Sequence, residues 1–239
     1  MAKQKMDLTV HAESRGRRRN RRDKPSLPQV SVTTPTVTSD SASFLMEQVV
    51  EQSNMQRAWY RVKSNKGSAG VDKLSIGQTA VVLKEKWPVI KQQLLEGRYK
   101  PEPVLRVSIP KPKGGMRLLG IPTVTDRLIQ QALMQVIGPY FEKEFSESSF
   151  GFRPFRSAQM AVQQSQRYID SGKRWVVDID LEKFFDNVNH DILMRKISLK
   201  VSDKRVLGVI RRYLQAGVLA GGIVSASDKG TPQGGPLSP

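Results

Sequence analysis

A chain of 239 residues can bury one large core or two small ones, and 39 lysines and arginines against 22 aspartates and glutamates, a formal net charge of +17, ask for a polyanionic partner. Zero cysteines exclude disulfides, thiolate metal sites and cysteine nucleophiles, and His11 and His190 are too few for a zinc centre, so any metal is held by oxygen. No apolar run approaches the roughly 18 to 20 residues of a spanning helix and no apolar signal region opens the chain, which predicts a cytoplasmic protein without membrane contact.

Residues 1–42 read as a disordered basic tail, because Arg15-Gly-Arg-Arg-Arg-Asn-Arg-Arg22 runs into a Pro/Ser/Thr/Val segment without helical period. Such an arm either adds sequence-independent phosphate attraction or is simply solvated. The ordered domain is expected over 43–239. Phe44, Leu45, Val49, Met55, Trp59 and Val62 recur at helical spacings interrupted around Gln52-Ser-Asn54, and Leu83, Trp87, Ile90 and Leu94 stripe a second helix from about Ser75 to Leu95.

From Tyr99 to Pro122 two β-type runs flank Lys113-Gly-Gly115, which predicts a hairpin with a basic, glycine-containing tip. Lys111, Lys113 and Arg117 at that tip suit phosphates, although charges on a hairpin tip also serve solubility alone. Thr123-Val-Thr-Asp126 opens a helix whose Leu128, Ala132, Leu133, Val136, Ile137, Tyr140 and Phe141 form a core stripe. The loop Ser148-Ser-Phe-Gly-Phe-Arg-Pro-Phe-Arg156 interleaves Arg153 and Arg156 with phenylalanines, a composition that fits stacked bases and phosphates and fits buried packing equally. A helix near Ser157–Ile169 follows.

Arg174–Leu181 alternates, Trp175, Val177, Ile179 and Leu181 on one side, Val176, Asp178 and Asp180 on the other, the period of a strand. At about 3.3 Å per residue the two aspartate α-carbons lie roughly 7 Å apart on one face. In a basic protein that pair reads either as a Mg²⁺ site where phosphate arrives or as a solvated acidic face. Beyond it, 191–199 and 203–214 are helical, with His190 read as a local cap, Ser202 as the second N-cap and Gly217 just past the end. The last twenty or so residues suggest a short hairpin and then a loop fixed by Gly230-Thr-Pro-Gln-Gly-Gly-Pro-Leu-Ser-Pro239.

Taken together, Ile109-Pro-Lys-Pro112, Gly114-Gly-Met-Arg-Leu-Leu-Gly-Ile-Pro122, Ser148-Ser-Phe-Gly-Phe-Arg-Pro154, Val177-Asp-Ile-Asp-Leu-Glu-Lys-Phe-Phe-Asp186 and Thr231-Pro-Gln-Gly-Gly-Pro236 closely resemble bacterial group II intron reverse transcriptases, the multifunctional maturases. The resemblance covers about residues 44–239. It implies an α+β right-hand polymerase fold, fingers plus partial palm. It implies an RNA-directed DNA polymerase, a nucleotidyltransferase of a mobile genetic element, with two Mg²⁺ ions as cofactor and intron RNA, RNA template, DNA primer and deoxynucleoside triphosphates as partners. By the resemblance Asp180 is the first catalytic, metal-binding aspartate, with Asp178 its secondary neighbour and the Leu181 carbonyl a further ligand. Phe185, five residues on, blocks the ribose 2′-hydroxyl. Lys111 and Arg117 clamp the triphosphate, Gln233 and Gly234 lie beside nucleotide and primer-template, and Lys113, Arg153 and Arg156 contact nucleic acid. The 239 residues stop before the family's Tyr-x-Asp-Asp hairpin, so the polypeptide reads as truncated and is expected not to extend a primer alone. Two alternatives stand beside the polymerase: an intron RNA-binding splicing module without polymerisation, and a reverse transcriptase of another bacterial lineage.

Overall fold

The computed structural model describes residues 44–110, 114–232 and 234–238 and the backbone of residues 6–11. In chain order the elements are β1 (Met6–His11), α1 (Leu45–Val49), α2 (Gln52–Ser64), α3 (Ile76–Leu95), β2 (Val104–Pro110), β3 (Met116–Ile121), α4 (Val124–Glu142), α5 (Ala158–Asp170), β4 (Val176–Leu181), a 3₁₀ turn (Phe185–Asn187), α6 (His190–Ser198), α7 (Lys204–Gln215), β5 (Val218–Ala220) and β6 (Ile223–Ser225). Contacts divide this α+β fold into two compact units, one of β1 with Ser146–Glu182, the other of the described parts of Ser39–Phe145 and Lys183–Pro239. None of the helices among the described residues is long and apolar enough to cross a membrane.

The second unit is organised on α4. Its stripe meets α1, α2 and α3 and shares one buried cluster with α7, in which Leu128, Ile129, Ala132, Leu133 and Ile137 lie with Leu45, Met46, Val49, Ala58, Leu94, Val206 and Val209. Val136, Tyr140 and Phe141, at the far end of the expected stripe, are partly buried against the same core. Thr123 caps the helix by accepting from the Asp126 amide (3.0 Å), and its hydroxyl donates back to the Asp126 carboxylate (2.7 Å). That carboxylate is 1% exposed and also accepts from the Tyr99 hydroxyl (2.8 Å), the Tyr213 hydroxyl (3.1 Å) and the Glu102 amide (3.3 Å). One side chain therefore ties the start of α4 to α7 and to the chain entering β2. Burial pushes its pKa up, and the hydrogen bonds from Thr123, Tyr99, Glu102 and Tyr213 act against that rise. Asp126→Ala strands several buried donors and is expected to cost about 3 kcal/mol or more, read as a lower midpoint in urea with an unchanged m-value.

The helix starts follow local rules, with small displacements from the sequence reading. Ser75 and Gln78 form the capping box of α3. The break between the first two helices falls at Val50–Glu51, two residues before the expected position, because the Glu51 carboxylate accepts from the Ser53 and Asn54 amides (both 3.1 Å) and so starts α2 early. Asp203, not Ser202, caps α7: it accepts from the Arg205 amide (2.9 Å) and, 4% exposed, also from the Met46 amide (3.0 Å) and the Arg205 guanidinium (2.9 Å). The same guanidinium holds Glu47 of α1 through two bonds of 2.6 and 2.7 Å. Burial pushes the Asp203 pKa up, but the hydrogen bonds from Arg205 and Met46 outweigh it and hold the carboxyl below its ordinary 3.8. A depressed carboxyl pKa stabilises the fold above its unfolded value and loses that contribution on protonation. Thermal stability should thus fall as the pH drops below about 3.8, and Asp203→Asn should flatten that acid limb in a melting series.

β2 and β3 form the expected hairpin, with Ile109 paired to Arg117 and Leu105 to Ile121. Its tip at Lys111–Lys113 lies outside the described residues, but Gly114 and Gly115 take φ of 89° and 83°, which suits glycine. β2 runs parallel to β5, which turns through Gly221 and Gly222 into β6, giving the sheet order β3-β2-β5-β6. In the first unit, α5 is capped by Ser157 and β4 pairs antiparallel with β1, Asp180 opposite Asp7 and Val176 opposite His11. A strand at Met6–His11 falls inside the stretch expected as a disordered tail. Met-Asp-Leu-Thr-Val-His does alternate apolar with polar residues, a period the basic run after it hides, and β4 offers it backbone partners.

Candidate active site

Asp178 and Asp180 stand two residues apart on β4, the spacing that sets both on one face, and the apolar residues of the other face, Val177 and Ile179, are exposed as well (60% and 53%), where alternation would have one side covered. Leu181 ends the strand, 39% exposed. Among the described residues no three histidine, aspartate or glutamate side chains converge on one point. The donor set present, carboxylate oxygens beside a strand-end carbonyl, is the hard-oxygen chemistry Mg²⁺ takes, and it fits as part of a centre rather than a whole one.

The loop before α5, in the same unit, uses its arginines on itself. Arg153 donates to the carbonyls of Ser146 (2.6 Å) and Ser149 (3.1 Å). Arg156 donates to the Glu147 carboxylate (2.5 Å) and carbonyl (3.1 Å) and lies over the Phe150 ring, 5.5 Å from its centre. Two of the three phenylalanines of this loop are not the buried packing that composition allowed: Phe152 and Phe155 are 80% and 96% exposed, both at positive φ (55° and 58°), while Phe150 is half-buried.

In the second unit, residues far apart in sequence are stitched side by side. Thr231 donates its amide to the Phe185 carbonyl (2.8 Å) and Gly230 donates to the Val188 carbonyl (2.8 Å). Gly230 sits at φ 81° with its Cα so near the 3₁₀ turn that a Cβ would lie 2.8 Å from the Asp186 carbonyl oxygen. His190 was expected as a local cap; Asn189 takes that role, accepting from the Ile192 amide (3.0 Å), while His190 Nε2, buried, donates to the Gly230 carbonyl (2.6 Å). A carbonyl only accepts, which fixes the proton on Nε2. Pro232 occupies the notch left by the missing side chain of Gly120 on β3, where a Cβ would come within 2.8 Å of it, and a Cβ on Gly234 would meet the Gly120 carbonyl at 2.6 Å.

Half-buried Phe185, its ring edge-to-face with Phe184 at 5.5 Å, is thereby joined to the 230–236 loop and to the strand that carries exposed Arg117 three residues before Gly120. Three residues along the strand set Arg117 roughly 10 Å from Gly120 and, by the alternation of a strand, on its opposite face. Lys111, Lys113 and Gln233 lie outside the described residues. The carbonyl bond of His190 and the notch at Gly120 have no local sequence signal, since each depends on a partner far along the chain.

The pattern of a reverse transcriptase (RNA-dependent DNA polymerase) domain matches residues 109–239. The chain is 40% identical over 184 residues to the group II intron-encoded protein LtrA of Lactococcus lactis subsp. cremoris, covering 76% of this chain and 30% of that protein. It is 36% identical over 182 residues to protein YkfC of Escherichia coli, covering 74% of this chain and 48% of that one. The chain therefore spans less than half the length of these relatives. Among solved structures it superposes on a partial Cas6-RT-Cas1–Cas2 complex with a TM-score of 0.54 at 21% identity, over 81% of this chain and 32% of that one, a likeness of fold.

Proposed function

From the fact that the chain belongs to the reverse transcriptase (RNA-dependent DNA polymerase) family, we propose that it forms the fingers and first part of the palm of a group II intron reverse transcriptase and maturase. That enzyme, of which this chain spans a part, copies RNA into DNA and acts in intron splicing and mobility in the cytoplasm. Its partners are intron RNA, an RNA template with a DNA primer, and deoxynucleoside triphosphates. The observation that carries the reading is the stitching of Phe185, the 230–236 loop and the Arg117 strand in one unit, residues that are distant in sequence and that a nucleotide site needs side by side.

Arg117, with Lys111 and Gln233, holds the triphosphate, Gly234 lets the strand backbone approach, and the Phe185 ring fills the space a 2′-hydroxyl would occupy. Asp180 and the Leu181 carbonyl would hold Mg²⁺, Asp180 supplying one carboxylate of the centre. Two such ions, when bound, stabilise the attacking and leaving oxygens of the in-line displacement. Lys113, Arg153 and Arg156 line the nucleic-acid path, the last two through the loop they shape. The test is primer extension on an RNA template by the protein that carries these residues. DNA synthesis that needs template, primer and Mg²⁺ supports the reading; tight binding of the RNA substrate with no extension overturns the polymerase.

A further inference from the structure

The second unit holds a cavity of about 320 Å³ lined by Asn65, Gly67, Arg127, Gln131, Gly234 and Gly235. Its one charged wall is Arg127, in the first turn of α4. The Arg127 Nη2 donates to the Ser68 carbonyl (2.6 Å), but its Nε is buried without an acceptor. Burial pulls its pKa below the ordinary arginine value, and the carboxylate of Asp72 only partly opposes this. A half-buried cation whose donors are incompletely matched is costly to keep, and an anion brought to it is correspondingly favoured. Val62 and Pro236 make up the apolar part of the lining; the rest suits an anion, with side-chain amides from Asn65 and Gln131 and the backbone of three glycines. A Cβ at Gly67 would meet Nη1 of Arg127, the far end of a long side chain that would have to shift, and a Cβ at Gly235 would likewise meet the Gln130 side chain.

We infer that this cavity is a phosphate-binding subsite, in which Arg127 receives a phosphate oxyanion of a nucleic-acid strand running past the 234–236 loop. The inference rests on the proposed function, since that loop is the one placed beside nucleotide and primer-template. The same chemistry could come from the triphosphate of a free nucleotide, and the two sources separate experimentally.

The experiment measures, with the full chain, binding of a labelled single-stranded RNA oligonucleotide across a salt series and binding of a deoxynucleoside triphosphate at fixed salt. Wild type is compared with Arg127→Gln and with Gly67→Ala, which keeps the charge but displaces the guanidinium. If a strand phosphate is bound, both variants lower the slope of log affinity against log salt by about 0.7, so that their deficit is about fivefold larger at low salt than at tenfold higher salt. A triphosphate affinity about fivefold lower with an unchanged RNA slope supports the subsite and assigns it to the nucleotide. Variants that bind both probes as wild type does overturn the subsite and leave the proposed function standing. A wild-type chain that binds neither probe overturns both. Should Arg127→Gln melt well below wild type, Gly67→Ala decides alone, since its backbone is not at positive φ and only the Arg127 side chain stands in the way.

Discussion

Asp180→Asn lowers RNA-templated primer extension about a thousandfold in the protein that carries this domain, with RNA binding and melting temperature unchanged. The size follows from what a metal-held carboxylate supplies, several kcal/mol of charge stabilisation at about 1.4 kcal/mol per factor of ten. The specificity follows from the strand. Every residue of β4 is exposed, so the substitution removes a charge without opening a core, and surface changes of that kind shift stability by no more than about 0.5 kcal/mol. Asparagine keeps the shape and one oxygen but not the charge. Asp178→Asn serves as the internal comparison, with a smaller loss, because its neighbour is the assigned ligand. Extension by Asp180→Asn within tenfold of wild type would remove this residue from the metal centre.

Phe185→Ala relaxes the choice of sugar. Discrimination between a ribonucleotide and the matching deoxynucleotide, taken as the ratio of kcat/KM values, is expected to fall about 10- to 200-fold, the range over which filling or emptying part of an apolar site acts. The loop should stay in place, because what holds it to position 185 is the backbone carbonyl accepting from Thr231, and alanine retains that carbonyl. The lost edge-to-face contact with Phe184 and the partial burial cost about 1 to 2 kcal/mol, so the assay belongs well below the melting temperature. An unchanged ratio would exclude Phe185 as the steric gate, while a lost activity with an unchanged ratio would mean only that the ring positions the loop.

Elements governed by short-range rules were legible in the sequence. The α4 stripe, the β2–β3 hairpin and the alternation of β4 each follow from a period or a turn that a dozen residues contain. Caps were legible to within one or two residues, and the misses share a cause: at α2 the Glu51 carboxylate accepts from the Ser53 and Asn54 amides and at α7 the Asp203 carboxylate accepts from the Arg205 amide, so a carboxylate starts each helix. The candidate site was legible by motif but not by geometry. Arg153 and Arg156 looked like free cations, whereas the loop's own carbonyls and Glu147 take their hydrogen bonds. Arg127 gave no signal at all, because an arginine in a first helical turn looks exposed until the neighbouring loops are placed over it. The strand at Met6–His11 was masked by the arginine run that follows it, and its partner lies too far along the chain for any local pattern to point to it.

That last pairing has a bearing on how the protein is made. Met6–His11 leaves the ribosome well before the strand that takes it, Val176–Leu181, roughly ten to thirty seconds earlier at about 5 to 20 residues per second. Through that interval an alternating segment beside a dense arginine cluster is available to other nascent or finished chains. Translation speed, and the company of chaperones or RNA while this strand waits, should therefore bear on the yield of correctly paired protein.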